Sequence, residues 1–220
     1  ILQAQNDIII DQITTNPLDW TGIGTANLVF QAGRHIQFSS AGPFTVNTNG
    51  GYIHLEADTP HYLPSYDGTG TIDLGQVTLQ TGGGNVILIG RDFRLDNATV
   101  NAGGGTVTIG PAANGMNMSL GYAGAMLSNS ELNNITAGQL VIGQATTAGD
   151  DGQGTNAQVL TAGQITADDV VAGGGWNTLA LYGSNLVDSA SETGIQVSTL
   201  NLNIAGAIGT SGDHFETQVS

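Results

Sequence analysis

Apolar and polar residues alternate along most of the chain, in segments only three to six residues long. In these segments an apolar side chain recurs at every second position, as in Leu28/Phe30 and Val107/Ile109. This period of two predicts short β-strands with one face buried and the other face in solvent. A helical period is almost absent, and we expect at most a turn or two of helix within residues 123–132. The pattern therefore predicts an all-β fold.

Internal repeats indicate how these strands are arranged. Residues 77–86 realign with residues 98–107 at an offset of 21, and both copies read strand, glycine corner, strand. Another glycine corner lies at 172–175, and residues 135–140 resemble residues 160–165 at an offset of 25. Glycine suits such corners because they often need a positive φ or a close approach of two backbones. Short strands that recur roughly every 20 residues predict a solenoid in which each turn stacks on the previous one.

Two stretches interrupt the repeats and are predicted to be inserted loops, near residues 16–24 and 58–70. We expect the rest of residues 1–220 to form one continuous solenoid segment. The second loop contains His61, Tyr62 and Tyr66, which are our candidates for a contact surface. Their aromatic faces could stack on sugar rings; the alternative is that they cover a strand edge or pack against a neighbouring chain.

The composition narrows the range of functions. Glycine supplies 34 of the 220 residues, there is no cysteine or lysine, and the net charge is −15. A surface this acidic repels phosphate groups, which argues against nucleic-acid binding and against anionic membranes. No apolar run approaches the ~18 residues of a membrane span, so no membrane insertion is expected. The absence of cysteine excludes a disulfide framework and a thiolate metal site.

The repeats themselves resemble a known family. Residues 6–10, 33–36, 80–90, 127–143 and 205–213 are similar to filamentous-haemagglutinin-type repeats of large Gram-negative exoproteins, many of them exported by two-partner secretion. The resemblance implies a right-handed parallel β-helix, an extracellular or cell-surface location, and a role as a rigid adhesive stalk or fibre. The partners it implies are adjoining repeats of the same chain, with host or environmental glycans as further candidates. The secretion signature typical of the family's N-terminus is not recognisable, so we expect an internal fragment.

Three other functions remain open as alternatives. The first is a filament subunit that stacks end to end, because an uncapped solenoid exposes unpaired strand edges. The second is ice binding, which needs Thr-x-Thr on consecutive turns, whereas only residues 106–108 fit. The third is polysaccharide binding or cleavage, with the Asp150-Asp151 and Asp168-Asp169 pairs as acid and base. The Gly-His-Gly and Arg-Ile-Lys elements of polygalacturonases are absent, so we expect that the chain is not an enzyme.

Metal binding and modification each have candidate residues. The acidic glycine-rich loop around Asp150 and Asp151 offers oxygen ligands for calcium, although the spaced nonapeptide pattern of calcium-binding β-rolls is missing. The four histidines have no metal-ligand spacing, and no other cofactor is expected. Asn97, Asn117 and Asn134 each begin an Asn-x-Ser/Thr sequon and are candidate glycosylation sites.

Overall fold

The computed structural model describes residues 1–11, 18–39, 42–58, 68–146, 159–167, 170–172, 175–188, 194–210 and 214–219. In these residues the chain forms many short strands and one short helix, and among them no helix is long and apolar enough to cross a membrane. The elements, in chain order, are β1 (Leu2–Ala4), β2 (Ile8–Ile10), β3 (Leu28–Ala32), β4 (Ile36–Phe38), β5 (Thr45–Asn47), β6 (Ile53–Ala57), β7 (Thr71–Asp73), β8 (Thr78–Gln80), β9 (Val86–Gly90), β10 (Asp92–Arg94), β11 (Thr99–Asn101), β12 (Thr106–Pro111), β13 (Met118–Gly121), β14 (Leu127–Ser128), α1 (Asn129–Asn133), β15 (Ile135–Thr136), β16 (Gln139–Ile142), β17 (Gln144–Thr146), β18 (Val159–Ala167), β19 (Val170–Val171), β20 (Thr178–Asp188), β21 (Ile195–Val197), β22 (Thr199–Ile204) and β23 (Thr217–Val219).

The largest sheet, called here the first sheet, has twelve strands and is almost entirely parallel. Its order is β1-β3-β6-β9-β12-β16-β20-β18-β13-β14, with β22 beside β20 and with β17 antiparallel to β18. One apolar residue from each of eight strands lies in register with the next. This row consists of Leu2, Phe30, Leu55, Leu88, Ile109, Ile142, Leu181 and Leu202. The alternating pattern is therefore confirmed as an all-β fold with long parallel sheets.

Three smaller parallel sheets are also present among the described residues. The second sheet has the order β10-β7-β4-β2, the third β15-β11-β8-β5, and the fourth β19-β21-β23. The second and third sheets each align a row of apolar residues that joins the row of the first sheet in one hydrophobic core. These residues are Ile8, Ile36, Ile72 and Phe93 in the second sheet and Val46, Leu79, Val100 and Ile135 in the third.

Only one of the two sequence repeats corresponds to strands that pair with each other in the structure. Thr78 pairs with Thr99, and Val86 pairs with Val107, which confirms the offset of 21. The offset of 25 is wrong as a stacking register, because Leu140 pairs with Leu179, a residue 39 positions later. The extra residues between β16 and β20 include β17 and β18, and β18 pairs with β13 and β20 instead of β16. Inserted segments therefore separate strands that are neighbours in the sheet.

The glycine corners bring backbones into close contact, as predicted. A Cβ atom at Gly84 would overlap the carbonyl oxygen of Gly51, and one at Gly105 would overlap that of Gly84. A Cβ at Gly138 would lie 2.6 Å from the carbonyl oxygen of Gly104. Only glycine fits where successive corners stack this closely.

The expectation that every strand has one solvent-exposed face is wrong for β3 and β6. All five residues of each strand are buried, including Gln31, His54 and Glu56, which point away from the core. Further along the first sheet, a small second cluster covers the outward side, where Ile89 packs with Ala145 and Leu160. Parts of the first sheet are therefore buried on both sides.

The one helix of the described residues lies where the sequence allowed one. Helix α1 is one turn long and starts with a capping box, in which Ser128 and Glu131 each bind the other's backbone N–H. Glu131 is buried, and its Oε1 also accepts a hydrogen bond of 3.0 Å from the backbone N–H of Leu95. The helix thereby satisfies a backbone group at the end of the second sheet.

Candidate functional site

Several predicted site residues lie outside the described part of the chain. These are the contact-loop candidates His61, Tyr62 and Tyr66, and the carboxylate pairs Asp150-Asp151 and Asp168-Asp169. Within the described residues no group of three or more His, Cys, Asp or Glu side chains could hold a metal ion.

The three sequon asparagines differ in what their side chains contact. Asn97 is exposed in the turn between β10 and β11. The Oδ1 of Asn117 accepts a hydrogen bond of 2.9 Å from the backbone N–H of Gln164. Asn134 donates from Nδ2 to the carbonyl oxygens of Leu95, at 2.8 Å, and Asp96, at 3.2 Å. A glycan on Asn134 would have to replace both of these bonds, so Asn134 is the least accessible of the three, whereas Asn97 and Asn117 are both exposed.

The described part of the first predicted loop runs beside a strand edge. The backbone N–H of Asn47 in β5 donates to Leu18, and the N–H of Trp20 donates back to Asn47. Asp19 accepts hydrogen bonds from the backbone N–H and the hydroxyl of Thr21, and these bonds lower the pKa of its carboxyl group. This segment therefore extends the third sheet at its β5 edge.

The base of the second predicted loop is held by an ion pair. Arg91 donates from Nε to the carboxylate of Asp58, which is fully buried at the end of β6. Asp58 has a φ of 62°, and its backbone N–H donates to the carbonyl of Arg34. Gly70 lies so close to Asp58 that a Cβ there would overlap the Asp58 side chain.

A row of polar side chains, exposed at Gln3 and buried at Gln31, His54 and Glu56, crosses the outward side of β1, β3 and β6. Gln3 donates to Oε1 of Gln31, and Gln31 donates to Oε2 of Glu56, each at 2.9 Å. His54 Nε2 lies 3.7 Å from the same Glu56 oxygen. Burial lowers the pKa of His54 to about 4, so this side chain is neutral at pH 7. Among the described residues, Gln31 and Glu56 are buried and hydrogen-bonded to each other, whereas the buried Nε2 of His54 has no hydrogen-bond partner.

Another histidine also has a structural contact. His35, just before β4, accepts a hydrogen bond of 3.1 Å at Nδ1 from the backbone N–H of Thr71 in β7. This bond connects two neighbouring strands of the second sheet.

A groove of about 270 Å³ lies on the outward side of the fourth sheet. Gln196 in β21 and Gln218 in β23 are directly paired across the two strands. Asn177 and Ser198 are exposed at the adjoining corner, and Val171 continues the column on β19. Within the described residues, the side chains of Gln196, Gln218, Asn177 and Ser198 make no hydrogen bonds. The groove therefore presents unused donors and acceptors to solvent.

Sequence reasoning missed both the groove and the buried row. The groove had a signal, because Gln-Val-Ser occurs at 196–198 and again at 218–220. The buried row had none, since Gln31, His54 and Glu56 occupy positions that the alternating pattern assigns to solvent. Comparisons of the chain with models of known families, with curated proteins and with solved structures find no match.

Proposed function

We propose that the chain is a segment of a right-handed parallel β-helix that serves as a rigid rod in an extracellular adhesin or fibre. In this proposal the sheets are the faces of one solenoid, and each turn of the chain crosses the faces in sequence. The order of the strands supports it: β3, β4 and β5 are followed by β6, β7 and β8, and then by β9, β10 and β11. Each group contributes one strand to the first, second and third sheets in turn.

The observation that carries the proposal is the row of eight in-register apolar residues in the first sheet. Stacked strands lie about 4.8 Å apart, so eight levels extend over about 35 Å. Each level is hydrogen-bonded to the next, and the six inner levels share the same core, so a bend would break many bonds at once. These properties suit a rod that holds its shape. We also propose that the chain is not an enzyme.

The extracellular location and the adhesive role rest on the family resemblance. The repeat segments that resemble filamentous haemagglutinin include strands β2, β9 and β16. The composition is compatible with this location, because the chain has no free thiol that an oxidising environment could modify.

End-to-end stacking of copies is the second candidate function, and a specific observation favours it. Strands β1 and β22 are the outer strands of the apolar row, and Leu2 and Leu202 are 46% and 38% exposed there. Unpaired strand edges with apolar side chains are templates for further pairing. A further turn of solenoid, from the same polypeptide or from another copy, would bury both residues.

Electron microscopy and X-ray scattering of the purified 220-residue chain test both candidates. Discrete rods of about 35–50 Å support the solenoid segment, whereas a nearly spherical particle contradicts it. Filaments built from whole copies support end-to-end stacking. In that case Leu202→Asp is expected to abolish the filaments, while Ile23→Asp, a control at a side chain 79% exposed outside the row, leaves them intact. Native fibres whose denatured polypeptide is much larger than 22.4 kDa would instead identify a stalk made of one long chain.

A further inference from the structure

The groove on the fourth sheet differs from the rest of the surface in its charge. The chain has a net charge of −15, but the described residues that line the groove are all neutral. Its lining consists of Val171, Ala172, Asn177, Gln196, Val197, Ser198 and Gln218. By comparison, the outward side of the second sheet includes Asp73, Asp92 and Arg94. A ligand for the groove is therefore expected to be neutral, since a charged group would find no counter-ion in its lining.

The two glutamines of the groove also differ from two amides on the outward side of the third sheet. Asn47 and Asn101 in the third sheet accept hydrogen bonds from the backbone of the turns that follow them, at 2.9 Å in each case. The side chains of Asn47 and Asn101 therefore have hydrogen-bond partners within the fold. Gln196 and Gln218 make no such bonds, although they lie in register on adjacent strands about 4.8 Å apart.

From these observations we propose that the groove binds a neutral polysaccharide. A side-chain amide is a donor at Nε2 and an acceptor at Oε1, and a sugar hydroxyl is likewise both donor and acceptor. Two stacked amides can therefore bind successive hydroxyl groups along one glycan chain. Asn177 and Ser198 add polar groups at the corner, and Val171, which is 39% exposed, offers an apolar contact for the C–H face of a sugar ring.

The shape of the groove favours a glycan over a peptide. Its volume of about 270 Å³ is near the lower end of small-molecule sites and is open to solvent. Peptide recognition usually depends on a few large aromatic or Arg anchors in deep pockets, whereas the groove formed by the described residues is shallow and open to solvent. An extended glycan can bind through its hydroxyl groups to a shallow polar surface.

Affinity electrophoresis of the purified chain through gels containing mannan, dextran or hydroxyethyl cellulose tests the proposal, with alginate as the anionic comparison. We expect at least one neutral polymer to retard the chain and alginate to have no effect. Gln196→Ala and Gln218→Ala are each expected to weaken binding about fivefold, the effect of one lost hydrogen bond of about 1 kcal/mol. Gln37→Ala is the matched control, because Gln37 is a partly exposed amide on β4 of the second sheet.

Three results would overturn the proposal. They are no retardation by any neutral polymer, equal retardation by alginate, or retardation that both glutamine variants leave unchanged. The melting temperature of each variant is measured alongside, and it should equal that of the original chain because these side chains are on the surface. Binding by the isolated chain requires no fibre, so failure here leaves the proposed rod intact, and failure of the rod leaves this binding test valid.

Discussion

Arg91 donates from its Nε to the carboxylate of Asp58, and this pair connects the end of β6 to the residue that follows β9. The Asp58 side chain has no solvent exposure, whereas that of Arg91 is 27% exposed. The other two arginines pair nearer the surface. Arg34 lies 2.6 Å from Asp7, and Arg94 lies 3.5 Å from Asp73, with the Arg94 side chain 61% exposed. The three arginines of the chain therefore have the same kind of partner in very different environments.

Replacing Arg91 with Met should strongly destabilise the chain. The substitution leaves the Asp58 carboxylate buried without its cation, and such losses cost about 3–5 kcal/mol. Arg94→Met is the matched control, because its pair with Asp73 is exposed and is worth less than about 1 kcal/mol. Urea unfolding followed by circular dichroism measures both free energies. Equal effects of the two substitutions would contradict the importance assigned to the buried pair.

At the stacked glycine corner, alanine substitutions of two adjacent residues are expected to affect stability very differently. Gly105→Ala introduces a Cβ that overlaps the carbonyl oxygen of Gly84, so the backbone must move, at a cost of about 1–3 kcal/mol or more. Gly104→Ala introduces a Cβ with no atom within 4 Å, and the expected change is within about 0.5 kcal/mol. Thermal melting of the two variants provides the comparison. A Gly105→Ala variant as stable as Gly104→Ala would show that the corner tolerates side chains.

We expect two substitutions of Glu131 to lower the free energy of unfolding by different amounts. Its Oε1 accepts from the N–H of Leu95, and its Oε2 accepts from the N–H and the hydroxyl of Ser128, at 2.8–3.0 Å. Glu131→Gln keeps an acceptor for Leu95 but places an NH₂ group near Ser128, and we expect a loss of about 1–2 kcal/mol. Glu131→Ala leaves several buried groups unpaired and should cost about 3 kcal/mol or more.

The same unfolding measurements test this order. Ser130→Ala is a suitable control, because Ser130 is exposed and its hydroxyl contacts only Ser128 among the described residues. If Glu131→Gln were as damaging as Glu131→Ala, the charge itself would be the stabilising feature, and the hydrogen bond to Leu95 would contribute little.

The sequence predicts the local features of this fold well. The alternation in segments such as Val107/Ile109 identifies strands because it depends only on neighbouring side chains. The 21-residue offset identifies the pairing of Val86 with Val107 because no segment is inserted between β9 and β12. Where insertions are present, as between Leu140 and Leu179, similarity of neighbouring segments no longer reports which strands pair.

Burial on the outward side of a sheet is the feature that the sequence could not predict. An alternating strand looks the same whether its polar side chains face water or a covering layer. Gln31 and Glu56 are polar residues that are typical of an exposed face, yet they are 2% and 1% exposed. Their hydrogen bond is between residues 25 positions apart, and such a contact is set by the stacking of strands rather than by local sequence.

His54 predicts a specific dependence of stability on pH. Burial lowers its pKa from 6.5 to about 4, because the charged imidazolium would lose its hydration. Between these two pH values the unfolded chain binds a proton that the folded chain does not bind. The contribution of His54 to the free energy of unfolding is therefore fully present above pH 6.5 and is lost progressively as the pH falls toward 4, by roughly 3 kcal/mol in total.

Chemical unfolding at a series of pH values between 7 and 4 measures this loss, and His54→Gln is the variant that isolates it. Glutamine is polar but does not titrate, so the variant should lose less stability than the original chain over the same range, whatever its stability at pH 7. Asp7 acts in a separate range: its hydrogen bond with Arg34 lowers the pKa of its carboxyl group below 3.8, so its contribution is lost only as the pH falls below that value. If the His54→Gln variant and the original chain had the same slope between pH 6.5 and 4, the dependence would belong to other groups, and His54 would be accessible to protons in the folded state.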